Sequence, residues 1–316
     1  MSIDFSKFND ADVSINYDPL KHKCYRLAGI PLYTERSKVP VYTDIVQGYI
    51  GSCWFLSCLA SYLRPGPGLE TRCKDLQEMI DLYAETPTRR LYKVYLSNAV
   101  FIVDDFVPRE YITRTPTCIW PILFEKAMLS LMGVDKVKFD LDISGVRVCR
   151  DIVNSLGEMN AAAVGLRQLI GGKTTHRYLH NKDDFGDCHH DYQTVSQITA
   201  SEMYSLYRAG HHLLANTSLK TYKRPDFDAV KDPEIYNAVK KHCYTILSIT
   251  YEAKKRTYLF TLYNPWGRKP IIDFDGVVRP HTCKDLQCTA RASDSGIFTI
   301  SWERFHQVFA CVHHTI

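Results

Sequence analysis

The sequence lacks the features that place a protein in a membrane or outside the cell. No apolar run approaches the ~18 residues of a membrane span. The first residues, MSIDFSKFNDADVSINYD, contain neither the basic nor the apolar segment of a secretory signal. The 11 cysteines include no Cys-x-x-Cys pair, so we expect reduced thiols. These absences predict an intracellular, cytoplasmic protein without a membrane span.

A strong charge bias is also missing. The chain has 39 Lys and Arg against 35 Asp and Glu, and its net charge of +4 is spread over both signs. That balance is too weak to predict a nucleic-acid partner. Apolar residues make up 45% of the 316 residues, which indicates a globular protein with one large domain or two ordinary ones. The oligomeric state is left open.

The sequence divides into two halves that differ in predicted secondary structure. In the first half, the apolar run Cys53–Leu63 predicts a buried helix that RPGPG ends, and WPILFEKAMLSLMG predicts another over 120–133. Between them, LYKVYLSNAVFIVDDF predicts two strands with a turn at Ser97 and Asn98. The second half is predicted to be strand-rich, from the runs HHLLANTSL, HCYTILSITY, RTYLFTLYN and GIFTISW. A linker is expected between about residues 145 and 160.

The stretch QGYIGSCWFL, residues 47–56, indicates a reactive thiol. If a helix begins at Cys53, its sulfur lies over unpaired N–H groups and the positive end of the helix dipole, which favours a thiolate. Gly48 and Gly51 allow a tight turn before it. The side-chain amide of Gln47, with the Cys53 N–H, can supply the two donors of an oxyanion hole. A buried structural cysteine is the alternative.

A thiolate nucleophile needs a base and a residue that orients the base. His242 begins one predicted strand and Asn264 ends the next, and the charged turn YEAKKR joins the two strands. A hairpin centred on residue 253 places His242 opposite Asn264, with Cβ atoms about 5 Å apart. The amide oxygen can then accept the imidazole N–H. A slip of one residue would place the two side chains on opposite faces.

The segments around Cys53, His242 and Asn264 are similar to the active-site motifs of the papain-like thiol proteases, and most closely to those of the calpains. The pattern Gln-Gly-x-x-Gly-Ser-Cys-Trp covers residues 47–54, and Asn-Pro-Trp-Gly, the calpain form, covers 264–267. IVDDFVP, IWPILFEKAMLSLMG and SGIFTISWERFHQVF resemble further calpain blocks in the same order. The resemblance runs from about residue 35 to the C-terminus. One departure is Ser52, where calpains usually carry an Asp.

The resemblance implies an α+β fold of the papain-like, two-lobed type, with the active site in the cleft between the lobes. Residues 1–30 are expected to form an extension, 31–148 a helical first lobe with the nucleophile Cys53, and 149–316 a β-rich second lobe. His242 is implied as the base, Asn264 as its orienting residue and Gln47 as the oxyanion donor. The expected function is limited proteolysis of protein or peptide substrates by a calcium-dependent-type cysteine endopeptidase.

The resemblance also implies calcium binding. In the first lobe, Asp44 and Glu125 match the carboxylate ligands of the family. Calcium takes six to eight oxygens, so carbonyl groups of residues 37–44 and water would have to complete the site. In the second lobe the position expected to be acidic is Pro270. We therefore expect one weak calcium site and no reliable second site.

Other functions stay open. A catalytically silent calpain-like scaffold or regulator is disfavoured because all of Cys53, Gln47, His242 and Asn264 are present. A transglutaminase-like acyltransferase is disfavoured because its orienting residue is usually an Asp. The His-rich stretch at 176–191 lacks standard zinc-ligand spacing and is expected to be a polar surface loop.

Overall fold

The computed structural model describes residues 24–48, 52–96, 99–108, 116–131, 161–179, 197–217, 242–267 and 296–316. The chain divides into two compact units, Met1–Glu158 and Met159–Ile316. Both units contain helices and antiparallel strands, so the predicted α+β class is confirmed at that level. The predicted linker and the boundary after residue 148 lie outside the described residues. No described helix is long and apolar enough to cross a membrane.

The first unit combines buried helices with short sheets. Its helices are α1 (Cys53–Tyr62), α2 (Leu69–Glu78) and α3 (Trp120–Leu131). Its strands are β1 (Cys24–Arg26), β2 (Ile80–Glu85), β3 (Arg90–Leu96), β4 (Ala99–Asp104) and β5 (Phe106–Pro108). One sheet has the order β2-β3-β4, and β1 pairs with β5. Strand β1 lies within the extension predicted over residues 1–30 and is attached to this unit by its pairing with β5; residues 1–23 lie outside the described part of the chain.

Helices α1 and α3 form the centre of this unit. Nine of the ten residues of α1, and the first ten of α3, are buried. A helix that is buried on all sides must lie inside a core. The predicted helix after the Gly-rich turn, the following strand pair and the helix at residue 120 are therefore confirmed, whereas α2 and β2 were not predicted.

A buried ion pair anchors α3 to the end of β4. The Lys126 side chain is fully buried, and its Nζ donates to the Asp104 carboxylate. Nζ also donates to the carbonyl groups of Asp104, at 2.7 Å, and of Phe106, at 2.9 Å. Arg89 pairs with the other oxygen of Asp104 at 2.8 Å. All three ammonium hydrogens of Lys126 thus have acceptors, which offsets much of the cost of burying the charge.

The second unit is built on one six-stranded sheet with the order β10-β9-β8-β7-β11-β6. Its strands are β6 (Thr174–Tyr178), β7 (Leu213–Thr217), β8 (Cys243–Glu252), β9 (Thr257–Tyr263), β10 (Ile297–Ser301) and β11 (Phe309–Thr315). Its helices are α4 (Ala161–Ile170), α5 (Ala200–Arg208) and α6 (Trp302–Val308). The main core packs α5 and α6 against this sheet, with Met203, Tyr244, Phe260 and Phe305 fully buried.

The four strands predicted in this half correspond to β7, β8, β9 and β10, and the prediction of a β-rich second half is confirmed. Among the described elements, strands β6 and β11 and helices α4 and α5 were not predicted, whereas α6 lies in the block SGIFTISWERFHQVF that resembles a calpain strand and helix. The first residues of the stretch predicted as a polar loop, His176 to Tyr178, belong to β6 instead. Leu179, which follows the strand, is buried, and residues 180–191 lie outside the described part of the chain.

We expect Lys126→Met to lower the free energy of unfolding by about 3 kcal/mol or more, because it leaves the buried Asp104 carboxylate short of a partner. Urea unfolding of the full chain measures this loss. Lys74, exposed on α2, is the matched control, and Lys74→Met should change the free energy by at most about 0.5 kcal/mol. Equal effects of the two substitutions would contradict the anchoring role of Lys126.

Candidate active site

Cys53 is the first residue of α1, as the sequence predicted. The carbonyl oxygen of Ser52 accepts the N–H groups of Phe55, at 2.9 Å, and of Leu56, at 3.0 Å, and so closes the first turn. Cys53 is therefore at the end of the helix where the dipole is positive, and only 8% of the residue is exposed. Gln47 is buried as well, at 4% exposure. Residues 49–51 lie outside the described part of the chain.

Other thiols of the first unit differ from Cys53 in their position. Cys58 lies farther along α1, and its Sγ donates to the carbonyl oxygen of Trp54 at 3.0 Å. Burial raises the pKa of the Cys58 thiol well above its usual value, which disfavours the thiolate. Burial also raises the thiol pKa of Cys73 and Cys118. These three cysteines therefore have the character of structural thiols.

In the second unit, His242 and Asn264 form a buried hydrogen bond. The distance from His242 Nε2 to Asn264 Oδ1 is 2.8 Å, and the two residues are 3% and 0% exposed. Oδ1 also accepts the backbone N–H of Trp266 at 3.1 Å. An N–H can only donate, so this second bond fixes which amide atom is the oxygen. Nε2 must then carry the hydrogen, and Nδ1 carries the lone pair that can accept a proton.

The backbone and ring of His242 are held in place on several sides. Its N–H donates to Thr217 Oγ1 at 2.9 Å, and its carbonyl oxygen accepts the Thr217 N–H at 3.0 Å. The imidazole centroid is 4.8 Å from the Tyr244 ring, in an edge-on arrangement, and 4.8 Å from the Trp266 ring. These contacts leave the imidazole little freedom to turn, as the orientation of a general base requires.

The hairpin brings His242 and Asn264 together by a register that differs from the predicted one. Thr245 pairs with Tyr263, so His242 falls opposite Trp266 when the pairing is continued, two residues from the predicted partner. A shift of two residues keeps the side chains on one face. The predicted contact is therefore present, as a diagonal neighbour in place of a directly opposed pair.

A β-bulge makes this contact possible. The register shifts between Ile246 and Ser248, where one extra residue, Leu247, lies in β8. In the outer part of the hairpin, Ser248 pairs with Thr261. Had that pairing continued without the bulge, Ile246 would lie opposite Tyr263, and His242 would project from the face opposite to Asn264. The bulge thus decides that the imidazole and the amide share a face.

Burial lowers the pKa of His242 from its ordinary value of 6.5 to about 4, and the hydrogen bond from Nε2 to Asn264 opposes this shift. The imidazole is therefore neutral at pH 7. A neutral imidazole with its hydrogen on Nε2 is able to take a proton at Nδ1, which is what a general base requires.

The depressed pKa predicts a pH-dependent loss of stability. The unfolded chain takes up a proton at His242 as the pH falls below about 6.5, whereas the folded chain does so only near pH 4. Stability is thus present above pH 6.5 and lost toward pH 4. Between pH 6.5 and 5 the expected loss is about 2 kcal/mol. In His242→Gln, the free energy of unfolding measured with urea should lack this part of the pH dependence. If the free energy fell equally steeply with pH in the variant and the parent, the prediction would be contradicted.

The two residues predicted to bind calcium each accept a hydrogen bond from the protein. The Trp120 indole donates to Asp44 Oδ2 at 3.0 Å, and the Ser52 hydroxyl donates to Glu125 Oε1. Burial raises the pKa of Asp44, and it raises the pKa of Glu125 to about 7, against opposing hydrogen bonds in both cases. A protein donor thus already bonds to one oxygen of each candidate ligand.

No group of three or more His, Cys, Asp or Glu side chains in the described segments is arranged to hold a metal ion. Calcium also uses carbonyl oxygens and water, so calcium binding at Asp44 and Glu125 stays a prediction. Pro270, at the second calcium position, lies outside the described residues.

A second thiol–imidazole contact, in the second unit, was not predicted from the sequence. Cys311 Sγ lies 3.6 Å from His313 Nε2, and both residues are fully buried on β11. His313 Nε2 is also 3.1 Å from Asn216 Nδ2. Burial lowers the pKa of His313 to about 3, and neighbouring histidines add to the shift. The spacing of two residues on one strand was the available signal, since it places both side chains on one face.

Comparison with known proteins does not identify this chain. No family model matches it, and no curated protein matches it. Among solved structures, the crystal structure of PepW from Lactobacillus rhamnosis HN001, determined as the selenomethionine derivative, is 9% identical. The match covers 87% of this chain and 72% of PepW, with a TM-score of 0.27. A likeness that low carries no argument about fold or activity.

Proposed function

We propose that this chain is a calpain-type cysteine endopeptidase with a papain-like, two-lobed core. The observation that carries the proposal is the buried hydrogen bond from His242 Nε2 to Asn264 Oδ1, because it leaves the proton-accepting atom Nδ1 defined and oriented. The position of Cys53 at the start of α1 adds a sulfur where a thiolate is favoured. The proposal requires that Cys53 Sγ and His242 Nδ1 meet in the working enzyme.

The mechanism assigns each proton to a named atom. His242 Nδ1 takes the thiol proton of Cys53, and the sulfur attacks the peptide carbonyl carbon to form a tetrahedral oxyanion. The backbone N–H of Cys53 and the side-chain amide of Gln47 stabilise that oxyanion. As the C–N bond breaks, Nδ1–H gives its proton to the leaving amine. Water then loses a proton to Nδ1 and attacks the thioester, and the carbon–sulfur bond breaks with return of that proton to the sulfur.

We expect Cys53→Ala to abolish casein cleavage and labelling by an epoxide or vinyl-sulfone probe, because these reactions need the sulfur. Cys58→Ala is the matched control, since it removes a buried thiol from the same helix. Mass spectrometry locates the label, and release of new N-termini separates hydrolysis from acyl transfer. A parent chain that neither cleaves casein nor labels at Cys53 would favour the silent scaffold.

The supporting residues should differ in the size of their effects. Gln47→Ala should lower kcat by about 10²–10³, the usual effect of losing one oxyanion donor. Asn264→Ala should cost less than His242→Ala, because Asn264 orients the base and transfers no proton. Steady-state kinetics on a fluorogenic peptide measure all three variants. Negligible losses in all of them would place the chemistry elsewhere.

A further inference from the structure

We infer that Glu125 is a positioning residue for the nucleophile and not a calcium ligand: it holds the Ser52 hydroxyl and thereby fixes the first turn of α1. This inference rests on the proposed function, in which Cys53 supplies both the sulfur and one oxyanion donor. It concerns a position where the chain departs from the calpain pattern, since calpains usually have an Asp at the position of Ser52.

The direction of the Ser52 side chain is the first observation. A serine that precedes a helix usually accepts a hydrogen bond from an N–H of the first turn. Ser52 makes no such bond, and its hydroxyl donates to Glu125 Oε1 on α3 instead. Ser52 is 1% exposed and Glu125 is 2% exposed, so water does not compete for this bond. The residue directly before Cys53 is thus held by a neighbouring helix.

Helix α3 is a firm support for this bond. Lys126, next to Glu125, is held by three acceptors around Asp104 and Phe106. At the start of α3, the backbone N–H of Trp120 donates to the Leu32 carbonyl oxygen at 3.2 Å. The position of Glu125 is therefore set by contacts on both sides of it along the helix.

The same helix holds the other end of the segment that carries Gln47 and Cys53. The Trp120 indole donates to Asp44 Oδ2, three residues before Gln47, while Glu125 accepts from Ser52, one residue before Cys53. Glu125 is five positions after Trp120, which corresponds to about 7.5 Å along a helix. α3 therefore holds Asp44 and Ser52, the two ends of the segment that contains Gln47. Ser52 leads directly into the nucleophile Cys53.

The contacts of Glu125 favour this role over metal binding. Calcium requires several oxygens that present lone pairs to the ion. Ser52 presents a hydrogen to Glu125 Oε1, and Trp120 presents a hydrogen to Asp44 Oδ2. A calcium ion at either oxygen would lie beside that donor hydrogen, whose partial positive charge opposes the cation.

Three single variants, one double variant and one control variant test the inference. Glu125→Gln keeps an acceptor oxygen without the charge, Glu125→Leu removes the acceptor, and Ser52→Ala removes the donor. Glu70→Gln, on the exposed face of α2, is the control. For each variant we would measure kcat and KM on a fluorogenic peptide, the alkylation rate of Cys53 by iodoacetamide, the Tm, and calcium binding by calorimetry.

We expect Glu125→Gln to stay within about threefold of the parent in kcat and in alkylation rate. Glu125→Leu and Ser52→Ala should each lose about tenfold in kcat with KM unchanged, the scale of one lost hydrogen bond. The double variant Ser52→Ala/Glu125→Leu should be no worse than either single change, because both remove the same bond. Calcium binding, whether present or absent in the parent, should be the same in Glu125→Gln.

Three results would overturn the inference. One is a lower Tm in Glu125→Leu and Ser52→Ala with kcat and alkylation rate unchanged, which indicates a merely structural bond. Another is an equal loss of activity in Glu125→Gln and Glu125→Leu, which indicates that the charge is needed. The third is loss in Glu125→Gln of a calcium-binding event that Glu70→Gln retains.

If the proposed function is wrong, the measurements differ from the three results above. A parent chain without peptidase activity would show no turnover, yet the alkylation rate of Cys53 would still report how its sulfur is positioned. If Glu125→Leu does not fold, Ser52→Ala removes the same bond with the loss of a single oxygen atom and decides the question.

Discussion

One amide oxygen, Asn264 Oδ1, organises the candidate site of the second unit. It accepts the imidazole N–H of His242 and the backbone N–H of Trp266. The backbone bond fixes the amide, the amide fixes the tautomer of the imidazole, and the tautomer decides which nitrogen can take a proton. Because His242 and Asn264 are buried, leaving their hydrogen bond unmade would cost free energy, so the arrangement is specified more sharply than a solvent-exposed pair would be.

The first unit uses a comparable arrangement, with a helix as the support. Lys126 joins α3 to the strand end at Asp104, and Glu125, one residue before it, reaches Ser52. Neighbouring positions on a helix project in different directions. One side of α3 can therefore be fastened to the sheet while the next side chain holds the segment before Cys53. The buried Lys126 therefore helps to fix the helix whose Glu125 holds the segment before Cys53.

Much of this arrangement could be predicted from local sequence patterns, and the failures have physical causes. The start of α1 at Cys53 was predictable because an apolar run follows a glycine-rich turn. The contact between His242 and Asn264 was predictable from the hairpin, but its register was not, because nothing in the run TILSI marks Leu247 as the extra residue of a bulge.

Other elements were missed for reasons that differ. The start of α5 carried a readable signal, since Thr199 and Glu202 form a capping box. Strand β11 was not predicted because it contains the polar residues His313 and His314, although all of its residues are buried between two neighbouring strands. The hydrogen bond from Ser52 to Glu125 joins residues far apart in the sequence, so no local pattern predicts it.

The sheet order of the second unit has a consequence for how this protein is made. Strand β6 has β11 as its neighbour in the sheet, and His176 on β6 pairs with His313 on β11. Strand β7, which supports His242 through Thr217, pairs with β11 on its other side. During synthesis, β6 leaves the ribosome long before its partner exists. The backbone edge that pairs with β11 therefore stays unpaired until β11 has been synthesised. Because distant strands pair slowly, this edge is exposed to aggregation during that time.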